Sequence, residues 1–591
     1  MSKTKKWVHL AALGLVWAMP SCAEKEAPET ASPQAAVLPA GPPSNELHIA
    51  APKPKLRVPQ QIELLSENLT NVFNTFGDKV FIRDWAGLQN FLHDDFRGHD
   101  PFDLPELSSA PLALGAQSHT GDVTQAPLVD RAAFMASFET RIGSWRRLED
   151  SVWKVRGAEF ERGQNPQWGR VEWAAHMVGL SDSEGRELLE LAGVARVDRK
   201  QGTGWVITQM EIHEVVSSRG GRLLFEDVTR AAGVHFEGLR YGKPGNDSDG
   251  WNGIASADVN GDGLWDVFVP SSTRSFLYLG QQGGGFQEAS KEAGLDGIMG
   301  GTGVVFFDFE NDGDQDLLVG HVGWENRGLG NGGGQSLRAY RNDGEGRFME
   351  ATMLMGLDKI RCAAFGLTAL DANGDGFVDV FVSAYGRMGQ TRNDSWNEAT
   401  NGEPDRLLRN VSGNTFQDVT KQSGLQDRGW TYAATAADFD GDGDQDLYAV
   451  TTFGSNHLWI NRGDGVFDDR AEAYGVSLRG NSMGVSVGDL NEDGALDLFL
   501  TCPSSNTGRR ILKRFDADER TVAWGDLARM AGGNMMLLGD GTGAFEVVEG
   551  AGGAGGAGWA WGQALADFDL DGHQDIYCVN GFVTGDIPRD T

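Results

Sequence analysis

The apolar positions change their period once along the chain, and the change divides it. Ile62, Leu65, Leu69, Val72 and Phe73 recur at helical spacing, as do Phe134, Met135, Phe138 and Ile142. Four strand-like stretches follow, Ser151 to Arg162, Trp168 to Leu180, Arg186 to Arg199 and Trp205 to Val215. Helices first and antiparallel strands afterwards predict a compact α+β domain over residues 59–218. From residue 219 to 591 the apolar runs are short and repeated: Val267 to Val269, Leu317 to Val319, Val380 to Val382, Leu447 to Ala449, Leu498 to Leu500 and Ile576 to Cys578. Each reads as a buried strand, so the chain is predicted to be mainly β.

The same acidic loop precedes each run. Oxygen-bearing side chains stand at positions 1, 3, 5 and 9, with Gly at position 6, in six copies. They are Asp258, Asn260, Asp262 and Asp266; Asp308, Glu310, Asp312 and Asp316; Asp371, Asn373, Asp375 and Asp379. The others are Asp438, Asp440, Asp442 and Asp446; Asp489, Asn491, Asp493 and Asp497; Asp567, Asp569, Asp571 and Asp575. A hard cation such as Ca²⁺ takes six to eight oxygens, and alternating side chains on a sharply turned loop supply several from one segment. Glycine permits the turn because it lacks a Cβ. An EF-hand opens the same way but needs a bidentate Glu at position 12. Here position 12 is Val269, Val319, Val382, Ala449, Leu500 and Cys578, none of them a carboxylate. The expectation is about six Ca²⁺ ions, each held in a loop between two strands.

The loops begin 50, 63, 67, 51 and 78 residues apart, at and above the length of a propeller blade. A second signature keeps step: Phe225-Glu-Asp-Val-Thr229, Phe286 to Ser290, Phe348 to Thr352, Phe416 to Thr420 and Phe467 to Ala471, each followed by a Gly, and more loosely Phe545. One unit is then about four strands, and stacking such units radially buries each sheet on its neighbours. Phe365-Gly-Leu-Thr-Ala-Leu-Asp371 through Tyr385-Gly386 resembles an FG-GAP/VCBS repeat, the blade unit of integrin-α-type propellers. The Phe-x-Asp-Val-Thr signature resembles the bacterial and cartilage-acidic-protein branch, whose C-terminal ASPIC/UnbV module has no counterpart here. The resemblance implies a calcium-bearing, extracellular propeller used for adhesion or ligand binding. Six blades result if the Phe225 strand completes the last one; a truncated chain would have lost a seventh.

Charge and leader place the protein. The net charge is −33, and six divalent ions would still leave the chain acidic, which argues against a nucleic-acid partner. Lys3, Lys5 and Lys6 precede an apolar run from Trp7 to Met19, too short to span a bilayer. The ending at Ser21-Cys22 resembles a bacterial lipobox, which implies lipidation at Cys22 after a signal peptide over 1–22. Residues 23–58, rich in Pro, Ala and Glu, read as a flexible tether. The expected location is the outer membrane or cell surface, reached by a lipid anchor alone, or otherwise the periplasm or medium. Cys362, Cys502 and Cys578 read as free thiols rather than a disulfide framework.

Two strings match catalytic motifs without their context. Gly480-Asn-Ser482-Met-Gly484 has no room for the helix a nucleophile elbow needs, and Gly328 to Gly333 opens no βαβ unit. The carboxylates are committed to metal, so no catalytic residue is assigned. The strand Gly204 to Ile212 resembles the last strand of SnoaL-like cone domains, and His176, Glu211 and His213 are the residues to line such a pocket. Recognition is expected in the long inserts Val322 to Ser336, Arg387 to Arg406 and Ser504 to Asn534. These carry Trp324, Trp396, Trp524, Arg327, Arg392, Arg509 and Arg510. The expected function is an exported, tethered module binding a protein or a glycan. The alternatives are an extracytoplasmic enzyme acting through the cone pocket or the propeller face, and a purely structural surface component.

Overall fold

The structure, a computed structural model, describes residues 47–580 except 48, 54, 58, 112–115, 182–184, 201–203, 221–224, 236–252, 271–273, 299–300, 322–336, 387–391, 513–521 and 557. The signal peptide, Cys22 and most of the expected tether lie outside the described residues, as does the stretch holding Trp324, Arg327 and Gly328 to Gly333. The chain forms two compact units, Met1–Leu224 and Phe225–Thr591.

In the first unit, helix α1 (Pro59–Phe81) and the short α2 (Trp85–Gln89) precede strands β1 (Leu92–His99), β2 (Glu106–Pro111), β3 (Gln117–Gly121) and β4 (Leu128–Asp130). Helix α3 (Arg131–Gly143) then leads into the long strands β5 (Arg147–Phe160), β6 (Trp168–Leu180), β7 (Arg186–Lys200) and β8 (Gly204–Gly220). The sheet order is β2-β3-β8-β7-β6-β5, with β1 parallel to β8 and antiparallel to β4. The apolar stripe of α1, with Leu65, Leu69, Phe73 and Phe76, is buried on the sheet, where Phe76 meets Trp153 and Trp153 stacks on Trp173 at 5.2 Å. Asp130 caps α3, its carboxylate accepting the Ala133 N–H.

The last residues of the expected tether differ from that reading. Ile49 and Leu56 are buried; the Ile49 N–H donates to Glu211 and the Leu56 N–H to the Phe160 carbonyl. Two apolar side chains in a polar stretch are enough to hold this segment to the sheet.

Among its described residues the second unit forms five four-stranded antiparallel sheets and a two-stranded one, each built from consecutive strands. The first sheet comprises Ala255–Ala257, Asp266–Val269, Phe276–Gln281 and Gly285–Glu288; the second Val304–Phe307, Asp316–Gly320, Leu337–Asn342 and Phe348–Glu350. The third comprises Ala364–Leu370, Asp379–Ala384, Arg406–Asn410 and Phe416–Asp418; the fourth Thr431–Ala437, Asp446–Thr451, His457–Asn461 and Phe467–Asp469. Gly484–Gly488, Asp497–Thr501, Met535–Gly539 and Phe545–Val548 make the fifth; Ala560–Ala566 and Asp575–Asn580 make the sixth. The first strands of the six sheets touch one another in chain order. Glycine five residues before every loop but the fourth, where Ala433 stands, allows this approach. A Cβ on Gly253, Gly303, Gly366 or Gly484 would lie 2.6–2.9 Å from the carbonyl oxygen of Thr302, Phe365, Tyr432 or Trp561 in the next sheet. Cores form between sheets: Leu370, Phe381 and Leu407 of the third pack with Leu447, Ala449 and Trp459 of the fourth. No described helix is long and apolar enough to cross a membrane.

Candidate functional site

Each acidic loop joins the first and second strands of its sheet. The position-1 carboxylate accepts the N–H groups of positions 5 and 6, as Asp371 does from Asp375 (3.2 Å) and Gly376 (2.9 Å), and this recurs in all six copies. The position-5 carboxylate accepts the N–H of position 7. Two residues per loop are left-handed. Position 6 is always Gly, and position 4 also has positive φ whether it is Gly261, Asn311, Gly374, Gly441, Glu492 or Leu570. The sequence pattern signalled the first and hid the second.

Position 9 has a structural task the pattern did not disclose. One oxygen of Asp266, Asp316, Asp379, Asp446, Asp497 and Asp575 accepts the N–H of position 2, at 2.7–3.2 Å. In the first five the other oxygen accepts an N–H from the third strand, at Gly280, Asn342, Asn410, Asn461 or Gly539. These five carboxylates are buried. Burial raises their pKa values, to about 7 for Asp316 and Asp379 and about 6 for Asp446, with the neighbouring loop carboxylates pushing the same way.

Position 3 separates the copies. In the fourth and sixth, one oxygen each of Asp438, Asp440 and Asp442, and of Asp567, Asp569 and Asp571, lie within 4.8 Å of one another. One buried oxygen of Asp440 and one of Asp569 has no hydrogen-bond partner. Desolvation, then repulsion from Asp442 or Asp571, raises both groups. Converging carboxylates with an orphaned oxygen are what a hard cation satisfies, so these two loops fit Ca²⁺. In the first, third and fifth copies the Asn260, Asn373 and Asn491 amides donate to the position-5 carboxylate at 2.9–3.0 Å, so part of that charge is satisfied within the loop. In the second, Glu310 pairs with Arg341.

Neighbouring loops touch. The Asn311 amide donates to the Gly376 carbonyl, the Asp371 N–H to the Gln445 side chain, and His573 pairs with Glu492. Three asparagines that sequence reading passed over tie sheet to sheet: Asn342, Asn410 and Asn461 donate from their amides to the position-2 carbonyls Val259, Phe309 and Ala372 of the preceding loop. Their signal was a recurring Asn at the end of the third strand.

In an antiparallel four-strand order, the second-to-third connections and the links between sheets leave from the end opposite the loops. The inserts at 387–406 and 504–534 start there; the insert at 322–336 lies outside the described residues. Arg479, in the link between the fourth and fifth sheets, joins Glu398 (2.8 Å) from one insert to Asp526 (3.2 Å) from another. The described part of the first is internally bonded: Asp394 accepts from Thr400, Asn401 donates to the Arg392 carbonyl, and the Trp430 indole donates to Asn401. It presents Trp396, 38% exposed.

Ser482 is fully buried and accepts hydrogen bonds from Asn456 and Cys502. His176 pairs with Asp150 (3.1 Å) and His213 with Glu211 (2.9 Å), but both imidazoles lie on the surface of the first unit, 42% and 49% exposed. Cys362 and Cys502 are buried and Cys578 is half-buried, and none of the three is in a disulfide with another.

A sequence model of the FG-GAP-like repeat family matches residues 244–319, 396–449 and 438–500. The chain thus carries FG-GAP-like repeats over these residues, and the matched segments hold the acidic loops at Asp258, Asp308, Asp438 and Asp489. No curated protein matches it. Among solved structures it is similar to an Agrocybe aegerita lectin described as recognising non-reducing terminal N-acetylglucosamine, at 15% identity over 55% of this chain and 73% of the lectin, TM-score 0.31. A putative scytalone dehydratase from Novosphingobium aromaticivorans (10%, covering 27% and 88%, TM-score 0.20) and a putative polyketide cyclase from Xanthomonas campestris pv. campestris (18%, 25% and 90%, 0.15) are also similar. At these TM-scores the three likenesses carry no argument.

Proposed function

We propose that the second unit is a calcium-bearing β-propeller that binds an extracytoplasmic protein or glycan through the end opposite its acidic loops. The first unit serves as an accessory domain. The observation that carries this reading is the division of labour between the two ends of the sheets. Acidic loops line one end; the two long inserts with described residues leave from the other, where Trp396 stands exposed on an internally bonded loop. Rigid sheets carrying ordered loops with exposed Trp suit recognition, since Trp supplies a large contact face at small entropic cost. Ca²⁺ in the loops would neutralise the carboxylates and fix the strand ends, with Asp440 and Asp569 completing the two all-aspartate sites. Export by the leader and anchoring through Cys22 suit a calcium-rich exterior.

The test is thermal unfolding of the whole chain in EDTA and in millimolar Ca²⁺, with bound calcium counted, followed by glycan and protein arrays probed with the parent and Trp396→Ala. Calcium binding with a rise in melting temperature, and an array signal that the Trp396 variant loses, is the expected result. An unchanged melt without bound calcium would remove the metal from the reading, and signals equal in parent and variant would remove the insert from it.

A further inference from the structure

Four of the six acidic loops are joined by one unbroken run of hydrogen bonds. It starts at Asp446, which closes the fourth loop and accepts the Asn461 N–H at 2.8 Å. The Asn461 amide donates to the Ala372 carbonyl (2.8 Å), and the Ala372 N–H donates to Asp379, which closes the third loop, at 3.2 Å. The same bonds then repeat. Asp379 accepts the Asn410 N–H, the Asn410 amide donates to the Phe309 carbonyl, and the Phe309 N–H donates to Asp316 of the second loop. Asp316 accepts the Asn342 N–H, the Asn342 amide donates to the Val259 carbonyl, and the Val259 N–H donates to Asp266 of the first loop. Every Asp and Asn side chain in the run is buried.

The run stops for a steric reason. The place that Asn holds on the third strand is taken by Gly280 in the first sheet and Gly539 in the fifth, whose N–H groups still donate to Asp266 and Asp497. A Cβ on either glycine would run into the carbonyl oxygen at position 8 of its own loop, that of Trp265 or Leu496. Gly539 therefore offers no amide to the Phe439 carbonyl of the fourth loop. The fourth and fifth sheets meet there through apolar contacts such as Phe439 with Phe545. The fifth and sixth loops are joined on the surface, by the exposed pair of Glu492 and His573.

A cation in the fourth loop would act on one end of this run. A carboxylate offers about four lone-pair sites, so Asp446 can hold its two backbone N–H groups and still face an ion. The fourth loop brings three carboxylates together, whereas position 3 is Asn260 or Asn373 in the first and third, and Glu310 of the second is paired with Arg341. Loops with less charge of their own gain most from a neighbour that already fixes their backbone, because binding to an ordered segment costs less conformational entropy. Burial keeps water from competing for the bonds that transmit this order. We propose that the first four loops form one cooperative calcium-binding unit, led by the fourth, with the fifth and sixth loops outside it. The inference rests on the calcium reading of the second unit, yet fails separately from it.

The test is hydrogen exchange of the whole chain, read by mass spectrometry on the peptides that contain each loop, across a titration with Ca²⁺ alone. Asp440→Asn with Asp442→Asn takes away two of the fourth loop's three converging carboxylates. This variant should move the midpoint of third-loop protection to at least about fivefold higher Ca²⁺. Asp569→Asn with Asp571→Asn, the same change in the sixth loop, should leave the first four midpoints where they are. Asn461→Ala cuts the run between the fourth and third loops, and on that background the fourth-loop changes should no longer move the third. Asn342→Ala is the second cut, after which the first loop alone should cease to follow the fourth. A third-loop midpoint unmoved while the fourth-loop midpoint rises would overturn the coupling and leave the calcium sites standing. Absence of protection by Ca²⁺ at every loop would remove the metal, and the inference with it.

Discussion

The amide of Asn410 donates to the carbonyl of Phe309 at 2.8 Å while its backbone N–H donates to Asp379 at 2.7 Å, so one fully buried residue fastens its own sheet and the loop of the sheet before it. Truncation to Ala would leave the Phe309 carbonyl buried without a partner, at a cost of about 1–3 kcal/mol. Asn410→Ala is expected to lower the urea midpoint with unchanged m-value, and Asn342→Ala to act in the same direction. A midpoint within error of the parent would show that the contact contributes nothing net.

Calcium affinity is expected to divide by loop. The Asp438 and Asp567 loops place three carboxylates together, the Asn-bearing loops two, and affinity rises with ligand charge. Asp440→Asn should remove one of the tightest sites in a calorimetric titration and lower the melting temperature in Ca²⁺. In EDTA the same variant should melt no lower than the parent, because it removes a carboxylate that its neighbours repel. Equal loss in both conditions would assign Asp440 to structure alone.

Leu570 is held at φ 61° and is 87% exposed. A left-handed residue with a Cβ costs roughly 1–2 kcal/mol, while Asn and Gly tolerate the conformation. Leu570→Asn is expected to raise metal-free stability by about 0.5–1 kcal/mol in denaturant unfolding. The reverse change, Gly374→Ala at φ 68°, should lower it by a similar amount. Opposite signs would mean that the loop relaxes.

His457 is a half-buried imidazole whose pKa desolvation pushes down, but its hydrogen bond to Asp469 (2.7 Å) and the nearby Asp427 raise it above the usual value. A folded-state value above the unfolded one, near 6.5, means that the protonated pair stabilises fully below that pH and that the contribution fades as pH rises through the folded value. His457→Gln should narrow the stability difference between pH 6 and pH 9. Identical pH profiles in parent and variant would show that the pair is energetically silent.

Close approach near the first strands gives the last expectation. Gly303→Ala would place a Cβ 2.8 Å from the Phe365 carbonyl oxygen and should cost about 1–3 kcal/mol. Ala433, which occupies the equivalent place in the fourth sheet, should tolerate Gly with a far smaller change. Equal responses would mean that the strands shift apart freely.

Much of this protein is set locally, and that part was legible in the residues alone. Strands follow from apolar runs of three, loops from oxygens at alternate positions with Gly at the sixth, and α1 from the spacing of Leu65, Leu69 and Phe73. These features depend on neighbours a few residues away. The dual hydrogen bonding of position 9, the asparagine ties and the left-handed fourth position all depend on partners that the chain brings together over long separations. The second carboxylate oxygen of Asp379 finds its donor 31 residues away, and Asn410 reaches a carbonyl 101 residues back. No pattern of spacing within one loop encodes such a contact, because it exists only once consecutive sheets have packed face to face.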